Sequence, residues 1–148
     1  MIKIAHRGNF VGPQEDPSKE NDPYTIVGAI ARGFDVEVDV WYVDHEVFLG
    51  HDAPTHLVDK TFLQEIGDNA WFHCKNIDAL EMFVKELSHL KYFWHELDTH
   101  QLTSNGFIWT YPGNKITDKS ILVYLGKPDI NSFETLPYAI CSDYVGEF

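Results

Sequence analysis

Cysteine is scarce in this chain. Cys74 and Cys141 are the only two, too few for a disulfide framework. Reduced thiols and a cytoplasmic location are the expectation. Basic residues are also scarce: 11 Lys and Arg stand against 23 Asp and Glu, a net charge of −12. That balance argues against a nucleic-acid partner and against anionic membranes. Long apolar runs are missing. The longest, Ile121 to Leu125, is far short of the ~20 residues that a membrane helix needs. The N-terminal Ile2-Lys3-Ile4-Ala5 is broken at once by His6 and Arg7, so it reads as a strand and not as a signal peptide. No repeat, linker or low-complexity tract divides the chain, and a single domain over residues 1–148 is expected.

What is present alternates short apolar runs with short helix-like runs. Ile2 to His6 reads as a strand. Asp22-Pro23 reads as an N-cap with proline in the first turn of a helix, closed near Gly33. Asp35 to Val40 alternates strictly: Val36, Val38 and Val40 on one face, Glu37 and Asp39 on the other. Trp41 to Leu49 reads as a hairpin turning at Asp44-His45. Thr61 and Gln64 suggest a capping box for a second helix ending at Gly67. Trp71 to Lys75 is another strand. Asn76 caps a third helix whose expected apolar face is Ile77, Leu80, Phe83, Val84 and Leu87. Tyr92 to His95, Phe107 to Thr110, Ile121 to Leu125 and Tyr138 to Ser142 complete the strands. Repeated βα units suggest an α/β parallel sheet or barrel.

The chemistry gathers at strand ends. Glu37 and Asp39 leave one strand on the same side, opposite an all-valine face, and buried carboxylates need a cation or a positive partner. A hard divalent ion suits such a pair. His6-Arg7-Gly8 ends the first strand, His51-Asp52 follows the hairpin, and His73 shares a face with Lys75. Cys74, on the opposite face, reads as an inert buried thiol. Two imidazoles able to move protons, beside cations able to hold an anion, suit phosphoryl chemistry. A bound metal with Arg7 and Lys75 would make a locally positive pocket in an acidic chain. His45, His56, His89 and His100 read as surface residues, and Trp41, Trp71, Trp94 and Trp109 as core. Asp143, after the last strand, reads equally as a site residue or as a solvated carboxylate. The loop from Asn9 to Lys19 reads as a plain polar loop rather than a lid.

The run Ile4-Ala5-His6-Arg7-Gly8, then Glu20-Asn21, Glu37-Val38-Asp39-Val40 and His51-Asp52, resembles the signature of the glycerophosphodiester phosphodiesterase family. The resemblance is strong over the first third of the chain and continues faintly at Phe107 to Thr110 and Ile140 to Tyr144. It implies a phosphatidylinositol-phosphodiesterase-like TIM barrel. It implies His6 and His51 as the acid/base pair and Arg7 and Lys75 as phosphate ligands. Glu37 and Asp39 would bind Mg²⁺ or Ca²⁺, with Glu20 and Asn21 supporting the site. The family's attack by a neighbouring hydroxyl gives a cyclic phosphate, which is then hydrolysed or released, as in a lyase.

Two departures matter. The family's third strand carries an acid two residues before the lysine, and here that metal-ligand position is His73. Imidazole favours Mn²⁺, Fe²⁺ or Zn²⁺. A different metal, a weaker one, compensation by His95 or Glu96, or a metal-free site all follow from it. The chain is also short beside the about 250 residues typical of such barrels. The expectation is therefore a reduced TIM (β/α) barrel, with some outer helices missing after the fourth strand and seven strands rather than eight. A homodimer would cover the bare flank. The competing function is a non-catalytic phosphosugar- or polyol-binding protein.

Overall fold

The computed structural model describes residues 1–148. Strand β1 (Ile2–His6) leads through a loop, pinned by a 3₁₀ turn at Pro17–Lys19, to helix α1 (Pro23–Ala31). Asp22 caps α1 through the Tyr24 N–H, with proline in the first turn. β2 (Asp35–Val43) turns into β3 (Glu46–Leu49) at Asp44 and His45, both with positive φ, as a tight hairpin demands. β4 (His56–Val58), α2 (Lys60–Ile66), β5 (Ala70–Cys74), α3 (Ile77–Glu86) and β6 (Tyr92–Trp94) follow. Then come β7 (His100–Leu102), β8 (Ile108–Thr110), β9 (Ser120–Val123) and β10 (Ala139–Ser142).

All ten strands join one mixed sheet. A parallel series runs from β6 through β5, β2, β1, β10 and β9 to β8, while β2–β3, β3–β4 and β7–β8 pair antiparallel. The sheet curls into a half-barrel. Its far ends approach: the Phe93 and Trp109 rings stack at 4.4 Å, and the Ser104 N–H donates to Tyr92 O at 2.8 Å.

The expected reduced TIM (β/α) barrel, with some outer helices missing, does not form: the ten strands make a mixed, curled half-barrel. There are only three short α-helices, all before Leu87, and three of the pairings are antiparallel. After α3, the parallel connections β8–β9 and β9–β10 are loops and a 3₁₀ turn at Ile130–Ser132. These segments are rich in Gly, Pro, Asn and Asp, which favour turns over helix.

Two cores flank the sheet. Val36, Val38, Val40, Phe72 and Cys74 pack outward against α1 and α3 side chains such as Ile26, Ala29, Ala79 and Phe83. Ile4, Trp71, Phe93, Trp109, Ile121, Val123, Ala139 and Cys141 fill the inside of the curl. Strict alternation along the strands thus sends valines to the helices and their neighbours to the concave side. Two local expectations change. Asp59, not Thr61, caps α2, accepting from the Phe62 N–H. The buried face of α3 is Ala79, Met82, Phe83 and Leu87, while Ile77 and Val84 are 65% and 55% exposed. At 3.6 residues per turn Ile77 and Val84 lie on the side of the helix away from Ala79 and Phe83. β4 and β7 were not expected from the sequence. No helix is long and apolar enough to cross a membrane.

Candidate functional site

Parallel register builds the site. His6 pairs with Glu37 across β1–β2, and Asp39 pairs with His73 across β2–β5. Paired residues on parallel neighbours point to the same face, so these four side chains meet on the concave side: His6 at the end of β1, His73 near the end of β5, Glu37 and Asp39 in the first half of β2. They line a cavity of about 300 Å³ together with Arg7, His51, Lys75, His95, Glu96, Trp109 and Tyr111. A larger hollow beside α3, lined by Tyr42, Asp78, Glu81 and Lys85, lies away from this chemistry.

Glu37 and Asp39 are 2% and 1% exposed, which settles their orientation. Burial pushes the Glu37 carboxyl above its ordinary range, and the Asp39 charge adds to that push. Burial also pushes on Asp39, but His73, Lys75 and Asn21 together hold it below the ordinary range. Glu37, Asp39 and His73 form one ligand-like group, in which one ligand atom from each lies within 4.8 Å of the others. His73 Nδ1 lies 3.0 Å from Asp39 Oδ1 and 3.8 Å from Glu37 Oε1. Asp39 Oδ1 is buried and has no hydrogen-bond partner. The donor set and this orphaned oxygen fit a divalent ion. His95 and Glu96 line the same cavity but stand outside that group.

The supporting residues are held tightly. Asn21 is fully buried at a positive φ of 58°, accepts the Asp39 N–H at 3.0 Å and donates to Asp39 Oδ2 at 2.9 Å. Glu20 accepts from Arg7 Nη1 at 2.9 Å and from Asn9 Nδ2 at 3.1 Å. Arg7, itself at positive φ, places Nε 3.6 Å from Asp39 Oδ2, and its backbone N–H donates to Glu37 at 3.3 Å. Lys75 Nζ is 3.9 Å from Asp39 Oδ1.

The two histidines differ. His6 Nδ1 is 2.8 Å from Asp143 Oδ1, and its Nε2 is 4.0 Å from Glu37 Oε2. Burial pushes the His6 imidazole down, but the Asp143 bond and the Glu37 charge outweigh it and raise its pKa. His51 Nδ1 is 2.8 Å from Asp52 Oδ1, on a carboxylate 95% exposed. The His51 loop leaves β3 at Gly50, whose φ of 152° and close neighbours exclude a side chain: a Cβ there would lie 2.1 Å from Ala53 O.

Asp143 and Asn9 are the residues that sequence reading left open or missed. Asp143 packs against His6, and fully buried Asn9 donates to both Asp143 and Glu20. The loop from Asn9 is pinned to the C-terminal segment, with the Gly12 N–H donating to Asp143 O and the Gly146 N–H to Phe10 O. Position after the last strand was the only signal for Asp143. Trp109 lines the cavity as well as packing in the core, His95 stacks on Tyr111 at 4.2 Å, and His56 is half-buried rather than on the surface. Cys74 is buried, and burial pushes its thiol up to about 12.

Comparison with known proteins gives no match to a family model, to a curated protein or to a solved structure.

Proposed function

We propose that this chain is a metal-dependent phosphodiesterase acting on a small or lipid-derived phosphodiester. One observation carries the reading: four histidines, a buried carboxylate pair, an arginine and a lysine face a single cavity of about 300 Å³. Few other chemistries use all of them. The order of the HRG, EN, ExD and HD motifs, like that of glycerophosphodiester phosphodiesterases, supports it.

In this reading Glu37, Asp39 and His73 would hold a divalent ion, which would supply Lewis-acid polarisation of the phosphoryl group. Arg7 and Lys75 neutralise the remaining charge on the diester, offsetting a chain whose net charge is −12. His51 accepts the proton of the attacking hydroxyl, from water or from the substrate itself. A new P–O bond forms as the P–O bond to the leaving alkoxide breaks. His6, held in orientation by Asp143, donates the proton that the alkoxide takes. Attack by water gives a monoester; attack by a substrate hydroxyl gives a cyclic phosphate.

A second reading, non-catalytic binding of a phosphosugar or polyol, is favoured by the exposure of Asp52, which leaves His51 without a buried support. His6→Ala and His51→Ala separate the two. Loss of turnover on glycerophosphodiesters in both variants, with ligand affinity retained, is the result expected of the enzyme. Wild-type binding without turnover would move the assignment to the second reading. Phosphorus NMR of the products tells hydrolysis from lyase release.

A further inference from the structure

The ligand geometry points to a metal centre that prefers a borderline ion of the zinc, iron or manganese class over Mg²⁺ and Ca²⁺, with His73 Nδ1 as the selecting ligand. The inference deepens the proposed reading and rests on its assignment of Glu37, Asp39 and His73 as a metal site.

Three observations carry it. The first is the contact between His73 Nδ1 and Asp39 Oδ1. At 3.0 Å it has the length of a hydrogen bond, yet Asp39 Oδ1 has no hydrogen-bond partner. Atoms bound to a common ion at about 2.0–2.2 Å stand about 3–4 Å apart. The 3.0 Å and 3.8 Å separations from His73 Nδ1 to the two carboxylates fall in that range.

The second is the orientation of the ring. His73 Nε2 lies 3.5 Å from the His95 carbonyl oxygen, which leaves Nδ1 facing the two carboxylates. A backbone carbonyl on the far ring nitrogen is the usual outer partner of a metal-bound histidine.

The third is rigidity. The Phe93 ring lies flat on His73, 5.0 Å between centroids at 8°. Register to Asp39 fixes the backbone, and Asn21 fixes the Asp39 carboxylate from its other oxygen. A ligand held on three sides cannot swing away to let a large, oxygen-seeking ion complete its shell. Ca²⁺ takes 6–8 oxygens and Mg²⁺ near-ideal octahedral oxygen, whereas imidazole with carboxylates suits the later first-row ions.

The test uses the full chain, stripped with chelator, and metal salts alone. Competition titration calorimetry with Zn²⁺, Mg²⁺ and Ca²⁺ should give one Zn²⁺ site at least a hundred-fold tighter than either hard ion. His73→Asp, which restores an all-oxygen set, should shrink that ratio at least tenfold. Electron spin-echo spectroscopy of the Mn²⁺-loaded wild type should show one directly bound nitrogen, absent from His73→Asp. Hard ions binding within tenfold of Zn²⁺, no nitrogen coupling, or an unchanged ratio in a folded His73→Asp would each overturn the inference. Where His73→Asp fails to fold, the wild-type nitrogen signal and affinity ratio decide alone. Metal binding of this kind without turnover defeats the phosphodiesterase reading and leaves the metal selection standing. Turnover with a hard-ion preference does the reverse.

Discussion

His6 Nδ1 lies 2.8 Å from Asp143 Oδ1, so the residue that ends the first strand is oriented by the one that follows the last. The contact exists because β1 and β10 are parallel neighbours, with Ala5 beside Ser142. Asn9 donates to the same Asp143 oxygen and fixes the carboxylate in turn. Asp143→Asn leaves the shape and removes the acceptor charge. Its expected effect is a fall in kcat of about 10²-fold with KM little changed, since proton transfer is what such a dyad supports. Steady-state kinetics check it; a change confined to KM would refute the role.

The same pair sets a pH dependence of stability. The His6 pKa is raised in the folded chain, so its contribution is full below the ordinary value of 6.5 and disappears as pH climbs through the raised value. The Asp143 pKa is lowered, burial being outweighed by His6 and Asn9, so its contribution is present above 3.8 and disappears as pH falls through the lowered value. The Tm difference between wild type and Asp143→Asn, measured with chelator present, is therefore largest between these two ordinary values. It shrinks toward alkaline pH, and a difference that grows there would contradict the pairing.

Asn21 holds Asp39 with two buried hydrogen bonds while sitting at a left-handed backbone angle. Asn21→Ala removes both bonds and places alanine where it is strained. Urea unfolding should show a loss of about 2–4 kcal/mol. Metal affinity should fall with it, because Asp39 is then free to turn.

Gly50 admits no side chain, since a Cβ would meet Ala53 O at 2.1 Å. Gly50→Ala must shift the loop that carries His51. Turnover should drop at least tenfold, with about 1–3 kcal/mol lost in stability. Full activity would show that His51 is not needed where it stands.

Neither cysteine is a reactive group. Both are buried, and burial pushes Cys74 to about 12 and Cys141 well up. A disulfide reagent at neutral pH should leave the native chain unlabelled and modify both thiols after denaturation.

Much of the site's geometry was legible because strand alternation is a local property. Val36, Val38 and Val40 against Glu37 and Asp39 set two faces, and proline after Asp22 set a helix start. What the sequence concealed depends on contacts between distant segments. Whether Asp143 faces solvent or His6 is decided by β1–β10 pairing. The buried face of α3 is decided by which side of the helix packs on the sheet: Ala79, Met82 and Phe83 face it and Ile77 faces away. The reduced barrel failed for a related reason. Apolar strands from Phe107 onward, and the Gly, Pro, Asn and Asp residues that leave loops between them, were readable, but the antiparallel pairing of β4 on β3 and of β7 on β8 was not.

The most direct measurement of the central claim is phosphodiesterase activity of the chelator-stripped chain on glycerophosphodiesters and a chromogenic diester, with Mg²⁺, Ca²⁺, Mn²⁺ and Zn²⁺ restored singly. Loss of turnover on stripping, and its return with Mn²⁺ or Zn²⁺ well above Mg²⁺ or Ca²⁺, is the predicted result. No turnover with any ion in a folded sample, or turnover indifferent to chelation, would contradict it.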